Sequence, residues 1–319
     1  MAVSAFIFPG QGSQAVGMGR DLAAAFAPAR EVFEEVDEVL KQKLSRLMFE
    51  GPVEELTLTE NAQPALMAMS MAVLRCLERE GNVTVRERAV LLAGHSLGEY
   101  TALAAAGSFS VAEAARLLRV RGTAMQKAVP AGEGAMAALL GVELAVAVEI
   151  CAAAEAGPEG REVVSVANDN GGGQVVISGA AAAVDRAIEG AKARGVKRAM
   201  KLPVSAPFHC ALMHPAAIAM EEALGVTPPR APAVPVIANV TAAKVTVPKD
   251  ISARLVEQVT ATVRWRESVE AMMASGVTRF IELGSGKVLS GLIRRIAPEA
   301  ETLNCGTPAE LEALIKHVG

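Results

Sequence analysis

The stretch Ala89–Tyr100, AVLLAGHSLGEY, constrains this chain more than any other. Five apolar residues run into Gly94-His95-Ser96-Leu97-Gly98, and a helix-like run follows. That pattern reads as a buried strand, a tight turn and a helix start. A G-x-S-x-G turn of this kind exposes its serine on a sharp, strained bend. Gly94 and Gly98 carry no Cβ, so the chain can turn sharply and the helix can lie close to the strand. Ser96 then sits at the helix N-terminus, where free N–H groups and the positive end of the helix dipole face whatever oxygen it attacks. The pentapeptide by itself fits either a nucleophile or an ordinary serine at a strand–helix turn.

Short apolar runs alternate with helical patterning on both sides of this turn. Ala2–Phe8, Pro235–Val240, Arg279–Leu283 and Thr302–Cys305 read as further strands, separated by helices such as Val111–Lys127 and Lys287–Ile296. Strands so separated imply an α/β fold, a mostly parallel sheet with helices on both faces. The texture changes at Pro130-Ala131-Gly132-Glu133-Gly134. From there the chain reads strand Ala135–Leu140, helix Glu143–Ala156, strand Val163–Ala167, turn Asn168–Gly173, strand Gln174–Ser178, helix Ala181–Arg194 and strand Val196–Leu202. This β-α-β-β-α-β order is that of the ferredoxin-like split unit. A large domain of residues 1–129 and 203–319, interrupted by a small domain of 130–202, is the expected organisation.

Composition narrows the classes of function. The 319 residues are 51% hydrophobic but only 3% aromatic, so the core must be built of Ala, Val, Leu, Ile and Met. The stripe Met67, Met69, Met71 reads as part of that filling. A net charge of −4 argues against nucleic acid as a partner. Cys76, Cys151, Cys210 and Cys305 show no pairing or metal spacing, which fits a reducing compartment and no metal site. The N-terminus lacks a basic segment followed by a hydrophobic core, and no apolar run reaches the roughly 18 residues of a membrane span. A soluble cytoplasmic protein is expected.

Three further features bear on chemistry. The loop Pro9-Gly10-Gln11-Gly12-Ser13-Gln14 follows the first strand and fits either an anion-binding loop or a plain turn; it lacks the GK[ST] of a P-loop. Arg121 has Ala114, Leu117, Leu118, Ala124 and Met125 as its helical neighbours, so it projects from an apolar stripe. A guanidinium there needs an anion, either a carboxylate of the chain or one on a ligand. Arg116 and Arg119 have polar or mixed neighbours. A serine also needs a base. Of the four histidines, His95 adjoins Ser96 within the turn and His317 lies in the last three residues, which leaves His209 and His214. His209, in Ser205-Ala206-Pro207-Phe208-His209 at a helix start after the small domain, stands where two domains meet and a cleft is usual. A capping or core histidine is the other reading.

Together these residues resemble the malonyl-CoA:acyl carrier protein transacylase family of bacterial fatty acid synthesis. The matching pieces are FPGQGSQ (Phe8–Gln14), ENAQPA (Glu60–Ala65), GHSLGEY (Gly94–Tyr100), RG-x-x-M (Arg121–Met125), AN-x-N with QVVISG (Ala167–Gly179), PFH (Pro207–His209), VRW (Val263–Trp265) and ELG-x-GKVL-x-GL (Glu282–Leu292). They keep the family's order and span nearly the whole chain. The resemblance implies a hydrolase-like α/β domain with a ferredoxin-like insertion. It implies Ser96 as nucleophile and His209 as its base, held by the backbone carbonyl of Gln258. It implies an oxyanion hole from the backbone N–H groups of Gln11 and Leu97. Arg121 matches the arginine for the malonyl carboxylate, Phe208 the position favouring malonyl over methylmalonyl, and Asn168 joins them as a substrate-binding residue. The implied substrates are malonyl-CoA and phosphopantetheinylated acyl carrier protein, in a ping-pong reaction of a monomer that needs no cofactor. Thr262, Ser285 and Gly172 stand where the family usually has proline, and Cys210 where it has serine; none removes a catalytic group.

Two other activities share parts of this pattern. A stand-alone acyltransferase serving polyketide synthesis would use the same residues with another carrier. A serine esterase or thioesterase would need an acid and then a histidine late in the chain. Only His317 lies there, and Arg121 would have no role.

Overall fold

A computed structural model describes residues 2–158, 160–204 and 206–318. The strands are β1 (Ser4–Phe8), β2 (Leu91–Gly94), β3 (Gly134–Leu140), β4 (Ala156–Gly157), β5 (Gly160–Arg161), β6 (Val164–Asp169), β7 (Gln174–Ala180), β8 (Arg198–Lys201), β9 (Val236–Ala238), β10 (Ala243–Val245), β11 (Arg279–Leu283) and β12 (Glu301–Cys305). Six form one sheet in the order β10-β9-β2-β1-β11-β12. Every neighbouring pair is parallel except β10 with β9. The central strands are buried along their whole length, as strands covered on both faces must be, and they read as unbroken apolar runs for that reason. Helices Thr59–Gly81, Leu97–Ala105, Val111–Lys127 and His214–Val226 contribute to one core, and Trp265–Ala274 and Val288–Ile296 to another on the opposite face.

A second sheet has the order β6-β7-β3-β8, antiparallel throughout, with helices Leu144–Ala154 and Ala181–Ala193 buried against it in a core of their own. Its edge strand β6 is stitched to the large sheet's side of the molecule. Val263 N–H donates to Ala167 O at 2.8 Å, Asp169 N–H donates to Val263 O at 3.0 Å, and Arg266 pairs with Asp169 at 2.9 Å.

Several local expectations are corrected. Asn168 belongs to β6, not to the following turn, because its pairing with β7 continues through Asp169. The small-residue run Thr101–Ala106 reads as the body of the helix after the Ser96 turn, but the helix already starts at Leu97, since Leu97–Tyr100 form its buried first turn. His209 does not start a helix: it lies in a turn, with a 3-10 segment at Ala211–Met213 and the helix from His214. Ser205, at the head of that motif, lies outside the described residues. The hairpin β4–β5, the strand β10 and the helices Leu44–Glu50, Val53–Thr57 and Val85–Arg88 are too short to show a period in the sequence.

The Ser96 turn depends on missing side chains. A Cβ on Gly94 would stand 1.9 Å from the Gly98 carbonyl, and one on Gly98 2.3 Å from Phe8 O. Gly94→Ala should therefore destabilise the protein by about 3 kcal/mol or more, since only backbone could move. Gly291→Ala, in a helix with nothing near the added methyl, should instead stabilise by about 0.5–1 kcal/mol. Urea unfolding of the two variants distinguishes a required contour from a general tolerance of alanine.

Candidate active site

A cavity of about 520 Å³ opens where the two sheets meet. Gly10, Gln11, Ser96, Leu97, Arg121 and His209 line it from the large-sheet side, and Met136, Asn168, Asn170, Gln174 and Val176 from the small one. Phe208 also lines it and is buried. Of the residues expected at the site, only Gln258 stands outside the lining, and it lies directly behind it.

Ser96 is the hinge between β2 and its helix, with φ 55° and ψ −112°. A residue with a Cβ adopts that conformation only where its surroundings enforce it. Asn239 supplies the enforcement. Its Oδ1 accepts from Ser96 N–H at 2.8 Å, and its Nδ2 donates to Gly94 O at 2.8 Å. The Ser96 N–H is thus occupied. Leu97 N–H, at the first helical position, has no acceptor within its own helix.

Ser96 Oγ lies 2.7 Å from His209 Nε2, and His209 Nδ1 lies 2.9 Å from Gln258 O. A carbonyl can only accept, so Nδ1 carries the proton. Nε2 is then the free lone pair, facing the serine hydroxyl. Burial, with Arg121 nearby, lowers the His209 pKa to about 3. The ring is neutral at ordinary pH and can take the Ser96 proton. His209 itself has φ 59°, so both partners of this pair hold uncommon backbone conformations.

Arg121 is 1% exposed. The capping box of Ser110 and Glu113 fixes the start of its helix, and the apolar stripe turns Arg121 inward. Its Nη1 donates to Gln63 Oε1 at 2.8 Å, and its Nη2 donates to Gln258 Oε1 at 2.9 Å and Ser96 Oγ at 3.2 Å. Its Nε is buried without a hydrogen-bond partner. Among the described residues no carboxylate comes within ion-pair distance of it, so the internal salt bridge allowed by the sequence does not form. Arg119 instead bonds Asn61 and Gln42, and Arg116 is exposed.

The other histidines separate cleanly. His95 supports the turn: its Nε2 lies 2.9 Å from Asn170 Oδ1, and burial lowers its pKa. His317 is exposed and meets Glu301 at 3.2 Å, outside the cavity lining, so a late acid–histidine pair at Ser96 is absent. His214 is exposed at a helix start.

Residues without a role in the sequence reading complete the site. Gln63, Glu99 and Asn170 sit inside motifs quoted above, beside residues whose chemistry is more evident. Asn239 gave no signal: it is a lone amide after a three-residue strand, brought to Ser96 only because β9 pairs with β2. The departures from the family pattern are accommodated. Thr262 Oγ1 donates to Val166 O at 2.6 Å, a bond proline could not make, and Cys210 Sγ contacts Pro207 O at 3.1 Å. Gly172 has φ 57°, outside the range of a proline ring, and Ser285 is buried.

Residues 5–302 match the family described as acyl transferase domain. A Bacillus subtilis protein named malonyl CoA-acyl carrier protein transacylase is 46% identical, covering 99% of this chain and 97% of its own. The crystal structure of an acyl-carrier-protein S-malonyltransferase from Bartonella henselae is 55% identical with a TM-score of 0.95, covering 99% of both chains. A malonyl-transacylase solved in complex with a type II polyketide acyl-carrier protein is 40% identical with a TM-score of 0.94, covering 99% of this chain and 100% of that one.

The buried, neutral His209 has a consequence for pH. An unfolded histidine takes up a proton below about pH 6.5, whereas the folded ring refuses it until about pH 3. The contribution is complete above pH 6.5 and is lost as pH falls toward 3, at about 1.4 kcal/mol per pH unit. Imidazole 15N shifts should show His209 still neutral and Nδ1-protonated at pH 5. A titration near pH 6.5 would remove this account of the base.

Proposed function

The chain belongs to the acyl transferase domain family, and we propose that Ser96, His209 and Arg121 carry out the two halves of a malonyl transfer. The protein is an acyl carrier protein S-malonyltransferase: it moves the malonyl group from malonyl-CoA to acyl carrier protein for fatty acid synthesis. In the first half, His209 Nε2 takes the Ser96 proton as Oγ attacks the thioester carbonyl. The backbone N–H groups of Gln11 and Leu97 hold the resulting oxyanion, each donor being worth roughly 3–4 kcal/mol. The tetrahedral intermediate collapses, the C–S bond breaks, and coenzyme A leaves with the proton from His209. In the second half, the phosphopantetheine thiol of the carrier attacks the malonyl-Ser96 ester with His209 again as base, and Ser96 recovers its proton. Gln258 O holds the imidazole throughout. No step calls on a metal or a redox group.

The observation that carries this reading is the seat of Arg121. A buried guanidinium stands 3.2 Å from the nucleophile's oxygen with neutral amide oxygens for partners and, among the described residues, no carboxylate in direct contact. An acyl group with a free carboxylate, once on Ser96, supplies the missing anion at short range. A planar fork suits that carboxylate better than an ammonium would. Phe208 and Asn168, both lining the same cavity, we assign to the acyl chain and its thioester arm. The strand order β6-β7-β3-β8 supports reading 130–202 as a ferredoxin-like unit inserted into the large domain.

Malonyl-CoA and acetyl-CoA separate the roles. Arg121→Ala should lower malonyl turnover by tenfold to a few hundredfold, the equivalent of about 1.5–3 kcal/mol, and leave acetyl turnover little changed. Ser96→Ala should yield no acyl-enzyme by mass spectrometry with either. Equal losses on both substrates for Arg121→Ala would make it a structural residue. Assays with fatty acid and polyketide carriers in parallel decide between the two pathways, since the chemistry is common to both.

The carrier's approach we assign partly to 192–201. Lys192, Arg194 and Lys201 are neutralised by Glu189, Glu149 and Asp185, whereas Lys197 and Arg198 are exposed without ion pairs among the described residues. β8 leads directly to the cavity rim at Leu202. Steering of an acidic carrier by these two cations weakens with salt. Reversing both charges should raise the Michaelis constant for the carrier and leave that for malonyl-CoA unchanged; if neither constant moves, the pair is ordinary solvated surface.

A further inference from the structure

The Gln258 side chain joins two buried charges that do not touch. Its Oε1 accepts from Arg121 Nη2 at 2.9 Å, and its Nε2 donates to Glu99 Oε2 at 2.7 Å. Ser96 O at 3.0 Å and Asn239 Oδ1 at 3.3 Å lie around the same nitrogen. The amide orientation is thereby fixed, with its oxygen toward a cation and its nitrogen toward three oxygens. Glu99 and Arg121 are each 1% exposed. Among the described residues neither has an oppositely charged group within ion-pair distance. A buried charge left uncompensated is costly, and an aligned amide dipole between the two offsets that cost for both.

We propose that Glu99 is the resident counter-anion of Arg121, coupled to it through the Gln258 amide, and that this indirect pairing keeps Arg121 free for the carboxylate of the acyl group. The proposal rests on Arg121 being the partner of the malonyl carboxylate. A direct Glu99–Arg121 pair would fill the place that carboxylate takes, and no pair at all would leave a bare cation in the free enzyme. Glu99 touches none of the reacting atoms; it is a positioning and specificity residue. Its second tie, from Asn239 N–H at 3.0 Å, reaches the residue that clamps the Ser96 backbone. Burial pushes the Glu99 carboxyl up to about 7 against the pull of Asn239, Gln258 and Arg121, so the test belongs at pH 8, where it is ionised.

Glu99→Gln removes the charge and retains an oxygen able to accept from Gln258 and Asn239. Wild type, Glu99→Gln, Arg121→Ala and the double variant form a cycle. With the competing anion gone, Glu99→Gln should lower the Michaelis constant for malonyl-CoA by about threefold or more and leave that for acetyl-CoA unchanged. It should also slow discharge of the malonyl-enzyme to the carrier thiol. Its urea midpoint should fall when Arg121 is present and hold or rise when Arg121→Ala has removed the cation. Parallel shifts in both Michaelis constants, or equal midpoint losses in both backgrounds, would overturn the proposal. So would failure of both Glu99→Gln chains to fold, because loss of charge alone is rescued by removing its partner. Arg121→Ala by itself reports on the underlying reading. If malonyl selectivity survives there, that reading fails. If selectivity collapses there while Glu99→Gln moves neither constant, only the Glu99 inference fails.

Discussion

Everything at this site hangs on one backbone conformation, the positive φ of Ser96. Such a conformation is strained for a residue with a side chain, and it lasts only while its neighbours over-determine it. Here they do so from several directions. Glycines at 94 and 98 let the strand and helix approach within a distance no Cβ would allow. Asn239 ties down the Ser96 N–H and the Gly94 carbonyl together. Gln258 holds the Ser96 carbonyl from the other side. With both backbone groups engaged, the side chain is the free part of the residue, and it points to His209 and Arg121. The reactive geometry is thus a property of the parallel sheet, which brings β9 and its Asn239 beside β2.

The central sheet, the Val111–Lys127 helix and the main site residues are legible in the sequence because each is written locally. Apolar runs bounded by glycine give β1, β2 and β11, and a helical period gives the inward face of Arg121. The motif pieces mark Ser96 and His209, and Gln258 follows only from what the family resemblance implies. What is not legible is partnership across distance. That Gln63 rather than an acid meets Arg121 depends on how two helices 58 residues apart pack. Asn239 acts across 143 residues from Ser96, with no pattern in its own neighbourhood. The irregular pieces escape for a different reason. Strands of two or three residues and one-turn helices are held by tertiary contacts, and they are shorter than the window any period needs. His209 reads as a helix start because nothing in the sequence distinguishes a turn with positive φ from a cap.

The small sheet is more than a wall of the cavity. Asn170 holds the His95 ring in the nucleophile turn, while β6 is bonded through Ala167 and Asp169 to Val263, five residues beyond Gln258. The serine turn and the segment after Gln258 are therefore both anchored to β6 and the residue that follows it. Thr262 tightens this seam with a bond to Val166 O. The stiffness a proline would give that segment by restricting φ is here supplied by a side-chain hydrogen bond.

The choice of a carbonyl rather than a carboxylate behind His209 fits the charge of its surroundings. A carboxylate on Nδ1 would hold the imidazolium and raise the ring's pKa. It would also set a negative charge near the place where the acyl carboxylate must go. A carbonyl orients the ring without either effect, and burial beside Arg121 then keeps the base neutral and weak. Under the proposed reading, burial remains the main cause that keeps His209 neutral, and a malonyl carboxylate on Arg121 offsets only the smaller contribution of that cation. The first half-reaction expels a thiolate, which asks little of the acid that protonates it, whereas the second expels the Ser96 alkoxide, which needs its proton back from Nε2. Under the proposed mechanism a neutral ring held in one tautomer by Gln258 O meets both demands, since the same Nε2 takes the proton and returns it.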